Sequence, residues 1–138
     1  MNVSARITNS RGVHHVTLQT DDNVHSIDIP PKPTGFGSSA NGAELLFLAL
    51  ATCYCNDIYR EAAKMGIEVQ SVEVEVTGSF GGPGEAGTNI EYTARVTAAA
   101  SDEQIRDLMA HTDTVAEIQN TLRAGTSVTL SHIEPVSV

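Results

Sequence analysis

The sequence predicts an α+β fold with the element order βββ-α-ββ-α-β. Three observations carry this expectation: period-two alternation in the first and middle thirds, one long apolar helical run between Asn41 and Met65, and capping signals that fence the helical segments. At 138 residues the chain reads as one domain, 1–138, large enough to bury a core without disulfides or metals.

The first strands are short. Val3, Ala5 and Ile7 alternate with polar neighbours, as do Val16 and Leu18, and Val24, Ile27 and Ile29 lie around a third strand. Arg11-Gly12 and Asp21-Asp22-Asn23 supply the turns. Pro30 to Ser39 is a loop, because its prolines cannot donate to a ladder and its glycines reach positive φ.

Asn41 is a suitable N-cap for the helix that follows, and Gly66 a suitable residue to end it. Such a helix is a rod of roughly 35 Å at a rise of about 1.5 Å per residue. Its first half, Ala43 to Cys53, is apolar on nearly every side, interrupted by Glu44 and Thr52. A helix apolar all round is buried all round. One sheet of a small domain covers only part of it, so the pattern predicts a dimer in which a partner chain covers the rest.

A hairpin comes next. Val72, Val74 and Val76 alternate with Glu73, Glu75 and Thr77, and Ile90, Tyr92, Ala94 and Val96 alternate again beyond the turn at Gly81-Gly82-Pro83-Gly84. Acids on one face and valines on the other describe a sheet packed on one side and wet on the other. Ser101 with Gln104 forms a capping box for a second helical region. That region is expected to break near His111-Thr112-Asp113 and resume to Leu122. Gly125 ends it, and Val128 to Val138 is predicted to return as a strand.

Seventeen acids against eight basic residues give a net charge of −9. Phosphate binding needs a basic face, so no nucleic-acid partner is expected, and attraction to an anionic membrane is disfavoured for the same reason. The N-terminus lacks an apolar signal region, and the apolar run Leu45 to Ala51 is far short of the ~20 residues of a membrane span. Two cysteines at i and i+2 do not make a secreted disulfide framework. A cytoplasmic address is expected.

Cys53 and Cys55 are the residues with chemistry to offer. Two positions apart on a helix, they point about 200° away from each other, so they cannot form a disulfide and at most one faces a given pocket. On spacing alone, both also fit as small core residues. Asp57 and Arg60 follow Cys53 on the same stripe. Arg60 would favour the thiolate, the reactive form, while Asp57 would oppose it or pair with Arg60 as a surface ion pair. His14 and His15, adjacent on a strand, face opposite ways, and His25, His111 and His132 are isolated in sequence. With no zinc-type spacing, phosphate loop or nucleophile elbow, no metal and no cofactor are predicted.

The run Asn41-Gly42-Ala43-Glu44-Leu45-Leu46-Phe47-Leu48-Ala49-Leu50-Ala51-Thr52-Cys53 resembles the stretch P-x-E-L-L-x-A-A-L-A-x-C of OsmC/Ohr-like proteins. Met65-Gly66-Ile67 leading into Val72-Glu73-Val74-Glu75-Val76 is similar to that family's G-I-x-x-x-x-V-E-V-x-V strand. Asn120 to Val128 resembles the tail after the family's second cysteine. The resemblance implies an OsmC-like α+β fold and an intertwined homodimer with the long helices at its centre. In active members a cysteine on this helix reduces organic hydroperoxides, a second cysteine condenses with the sulfenic acid, and an external dithiol restores both. The attacking position falls on Cys53, and Asp57, four residues on, resembles the pattern of the C-x-x-x-D subgroup.

Two positions depart from the family pattern. The second-cysteine position falls on Ala116, followed by Glu117 where a proline is usual. The glutamate ten residues before the attacking cysteine falls on Ala43, with Glu44 one residue late and about 100° round the helix. The arginine that the family holds near its thiol would come from the N-terminal strands, as Arg11 or Arg6. Two readings follow. One is a peroxidase-type hydroperoxide reductase acting against oxidative stress, with Cys53 as nucleophile, Asp57, Arg60 and Arg11 around it, and an external thiol as resolver. The other is a non-catalytic protein that binds an apolar small molecule in a dimer-interface pocket.

Overall fold

The computed structural model describes every residue from Met1 to Val138. In chain order the elements are β1 (Val3–Ser10), β2 (Val13–Thr20), β3 (Asn23–Ile27), α1 (Gly42–Met65), β4 (Glu68–Ser79), β5 (Thr88–Ala99), α2 (Asp102–Val115) and α3 (Glu117–Arg123). They fall into two compact units, Met1–Leu46 and Phe47–Val138.

In the N-terminal unit β1, β2 and β3 form an antiparallel meander. Its register sets Ile7 opposite Val16 and Val16 opposite Ile27, so the three share one face, as the alternation predicts. Gly12 turns the first hairpin at φ +70° and Asp21 the second at φ +50°. The proline-rich loop folds back on itself, with Lys32 N–H donating to Gly37 O at 3.1 Å and Ser39 N–H to Pro30 O at 2.9 Å.

Helix α1 starts where its cap predicts. Asn41 Oδ1 accepts from the Glu44 N–H at 2.8 Å, and Glu44 Oε1 accepts from the Asn41 N–H at 3.0 Å. Such a box satisfies two donors that no helical carbonyl reaches. The helix ends at Gly66, whose φ of +68° a side chain would strain, and Ile67 N–H closes the turn on Ala62 O at 2.9 Å.

In the C-terminal unit, β4 and β5 pair as a long hairpin, with Val72 opposite Val96 and Val74 opposite Ala94. Their inward residues meet a core of Tyr54, Ile58 and Ala62 from α1 and Leu108 from α2. These α1 positions recur every four residues and define one buried stripe. Full burial of α1 is not achieved within the chain: Leu48 is 58% exposed, because a single hairpin and a single helix cover only one side of the rod.

Helix α2 begins at the predicted Ser101–Gln104 capping box but runs through His111-Thr112-Asp113 without breaking. The Thr112 hydroxyl donates to its own helix's Leu108 carbonyl at 2.8 Å, so this buried side chain is satisfied without unwinding the helix. The break comes at Ala116, extended at φ −72° and ψ 110°, which creates α3 as a separate helix.

The predicted final strand over Val128–Val138 does not form. Residues 126–138 have no regular secondary structure and are exposed throughout. The alternating apolar residues are present, but a strand forms only where its backbone pairs with a neighbour, and the segment pairs with no sheet edge although β1, β3, β4 and β5 each have one unpaired. No helix is long and apolar enough to cross a membrane.

Candidate functional site

Cys53 lies midway along α1, half-buried, and the break at Ala116 brings α3 against it. Ala116 is fully buried, and Gln119 Nε2 on α3 donates to the Leu50 carbonyl of α1 at 3.0 Å. From the other side Arg123 Nη2 holds Asp113 Oδ1 of α2 at 2.8 Å. Clamped at both places, α3 presents its first residue, Glu117, to Cys53.

The resulting cluster has a simple geometry. Cys53 Sγ–H donates to Asp57 Oδ2 at 3.5 Å and reaches Glu117 Oε2 at 3.7 Å. Arg60 Nη1 lies 2.9 Å from Asp57 Oδ1 and 2.9 Å from Glu117 Oε1. Each carboxylate therefore gives one oxygen to the guanidinium and turns the other toward the sulfur. Arg60 Nε also donates to Glu61 Oε1 at 3.1 Å, and Glu61 Oε2 carries Lys64 Nζ at 3.1 Å and His111 Nε2 at 3.5 Å.

Burial pushes the Cys53 thiol up; the Ile118 backbone N–H offsets part of this, and the charges of Asp57 and Glu117 push the thiol further up. Cys53 thus rests as a thiol and a hydrogen-bond donor. Burial also raises the Asp57 carboxyl, as does its close approach to Glu117. Glu117 is held low, first by its own backbone N–H and then by Asp57 and Arg60.

Three of the four residues singled out in the sequence, Cys53, Asp57 and Arg60, converge as their helical spacing predicts. Arg11 belongs to the N-terminal unit, where its guanidinium lies 5.2 Å over the Phe36 ring. Arg60 binds both of the carboxylates that touch the thiol. Cys55 faces the other way, into a shallow hollow lined also by Ala51, Thr52, Asn56 and Val74. Neither cysteine is in a disulfide. Glu117 is the member that spacing does not reveal. Its one signal is position: it follows Ala116, the place where the family pattern puts a residue close to the attacking sulfur.

Cys53 Sγ and an oxygen each from Asp57 and Glu117 lie within 4.8 Å of one another, close enough for a small cation. Arg60 already supplies a positive charge to both carboxylates, so the cluster is electrostatically served by the chain itself. Chemically, it is a thiol that shares its proton with two carboxylates under one guanidinium.

A family model described as OsmC-like protein matches residues 35–131. No curated protein sequence matches the chain. Among solved structures, an OsmC-like protein from Mycoplasma pneumoniae superposes with a TM-score of 0.61 at 22% identity, covering 89% of each chain. An organic hydroperoxide resistance protein from Elizabethkingia anophelis, crystallised with thiocyanate, gives 0.58 at 18% identity, again over 89% of each chain. The organic hydroperoxide resistance protein OhrB of Bacillus subtilis gives 0.52 at 20% identity, over 87% of this chain and 90% of its own. At these identities the likeness shows a shared fold.

Proposed function

The chain belongs to the OsmC-like protein family, and from that premise we propose that it reduces organic hydroperoxides, in defence against oxidative stress, with Cys53 as nucleophile. The observation that carries this reading is the Cys53 thiol donating to carboxylates that Arg60 holds at 2.9 Å. The fold's likeness to proteins described as organic hydroperoxide resistance proteins supports it.

The Cys53 sulfur attacks the terminal oxygen of ROOH, the O–O bond breaks, and the thiol proton ends on the departing ROH. Cys53 becomes a sulfenic acid, and the peroxide is reduced by two electrons. Ala116 supplies no second thiol, so an external thiol condenses with the sulfenic acid, releasing water, and a second external thiol frees Cys53 from the mixed disulfide. In this reading the protein works as a homodimer, a second copy covering the exposed first half of α1 around Leu48.

One observation favours the binding-protein reading instead: burial and two neighbouring carboxylates keep Cys53 protonated, the less nucleophilic form. Hydroperoxide consumption by wild type, Cys53→Ser and Cys55→Ser, with dimedone labelling read by mass spectrometry, separates the two. The enzyme reading requires that only Cys53→Ser abolishes turnover and labelling. Absence of dimedone labelling in hydroperoxide-treated wild type would rule it out. Sedimentation at micromolar concentration tests the dimer.

A further inference from the structure

We infer that Glu117 is the catalytic base of this site, the group that takes the Cys53 proton as sulfur attacks the peroxide. The inference rests on the hydroperoxide reading above and adds a residue to it.

A half-buried thiol that attacks a peroxide needs a proton acceptor in contact with the sulfur. Two groups qualify by geometry, Asp57 Oδ2 at 3.5 Å and Glu117 Oε2 at 3.7 Å. They differ in what they can do next. The Asp57 side chain is 7% exposed, so it meets solvent and an incoming substrate far less than its neighbour does. The Glu117 side chain is 59% exposed, at the first position of α3, so it touches the sulfur and solvent at once. It can receive a proton from Sγ on one side and deliver it to the leaving oxygen on the other.

Arg60 makes this division possible. It binds Oδ1 of Asp57 and Oε1 of Glu117, so both carboxylates keep a fixed orientation with a free oxygen on the sulfur side. The charged groups facing Cys53 are then Asp57 and Arg60 from α1 and Glu117 from α3. Behind Arg60 lies Glu61, which holds Lys64 and, from α2, His111.

The step balances. As the S–O bond forms and the O–O bond breaks, the Glu117 carboxylate accepts the S–H proton and passes it to the departing alkoxide. The products are Cys53 sulfenic acid, ROH and a regenerated carboxylate. Positioned bases of this kind contribute about 10²–10⁴-fold in rate.

The test uses Glu117→Gln in a Cys55→Ser background, so that only Cys53 can be alkylated. Two rates are measured at pH 7: cumene hydroperoxide turnover and alkylation by iodoacetamide. Loss of a base with loss of a negative charge moves them in opposite directions. Turnover should fall about 100-fold, while alkylation should accelerate, because the thiolate forms more readily without the Glu117 charge. If turnover stays equal or rises, Glu117 is only a charged neighbour and the inference fails, while the hydroperoxide reading stands. A parallel fall in both rates would mark Glu117 as structural and also overturn the inference. If the parent protein consumes no hydroperoxide, both the reading and the inference are wrong.

Discussion

Cys53 and Glu117 stand 64 residues apart in the chain and meet with Sγ 3.7 Å from Oε2. Their approach makes the site a thiol–carboxylate pair rather than a thiolate beside a cation. Arg60 joins them by binding the other oxygen of Glu117 at 2.9 Å while also holding Asp57. The consequences can be measured.

Arg60→Met removes the cation shared by Asp57 and Glu117. Breaking a fully buried pair costs about 3–5 kcal/mol, but the Arg60 side chain is 39% exposed, so solvent screening reduces the loss to about 1–2 kcal/mol. A lower urea midpoint at unchanged slope would report it. Cys53 alkylation at fixed pH should slow, since the negative charges around the thiol are no longer offset.

The thiol's own titration has a definite sign. Burial first, and the carboxylates of Asp57 and Glu117 after it, raise Cys53 above its ordinary value of 9.0 despite the Ile118 N–H. A raised value means that the fold favours the neutral thiol. That contribution is fully present below the unfolded thiol's value and is lost as pH rises through the folded one. Alkylation of Cys53 should therefore have a midpoint above pH 9.0. Over the same alkaline range Cys53→Ser should lose stability less steeply than wild type.

Where β5, α2 and α3 meet, the Tyr92 hydroxyl donates to Asp113 Oδ1, which also holds Arg123 Nη2 at 2.8 Å. Burial works to raise the Asp113 carboxyl, but the Tyr92 hydroxyl and Arg123 outweigh it and hold it low. A lowered carboxylate stabilises the fold above its unfolded value and loses that effect as pH falls through its folded value. Tyr92→Phe should cost about 1 kcal/mol at neutral pH, and the difference from wild type should shrink in acid. Urea unfolding at both pH values checks this.

Two leucines provide a contrast. Leu108 is fully buried against Tyr54, Ile58 and Ala62, so Leu108→Ala should cost about 3 kcal/mol. Leu130, 80% exposed, lies where a final strand was expected, and Leu130→Ala should change stability by no more than about 0.5 kcal/mol. A cost at Leu130 close to that at Leu108 would mean that the C-terminal segment packs after all.

Elements written in local patterns were legible before the structure. Asn41, Gly66 and Ser101 announce helix ends because a cap depends on residues three or four positions away. The β4–β5 hairpin was legible because each strand carries its own alternation. The C-terminal segment misled for the complementary reason: alternation records a suitable side-chain pattern and says nothing of whether the segment docks on a sheet edge. The break expected near His111-Thr112-Asp113 falls instead at Ala116, since Thr112 back-bonds to its own helix and lets α2 continue.

The sequence by itself determined that Cys53, Asp57 and Arg60 share one stripe of α1 and that Cys55 faces away, since helical periodicity sets both. Only the tertiary structure decided what that stripe meets. The bend at Ala116, its burial and the Gln119 bond to Leu50 dock α3 so that Glu117 closes on the sulfur. That convergence depends on how two helices pack, and packing is a property of surfaces in contact rather than of any window of residues. The thiol's resting state follows in part from it: a charge brought within 4 Å by packing pushes Cys53 in the same direction as one brought by the helix it sits on.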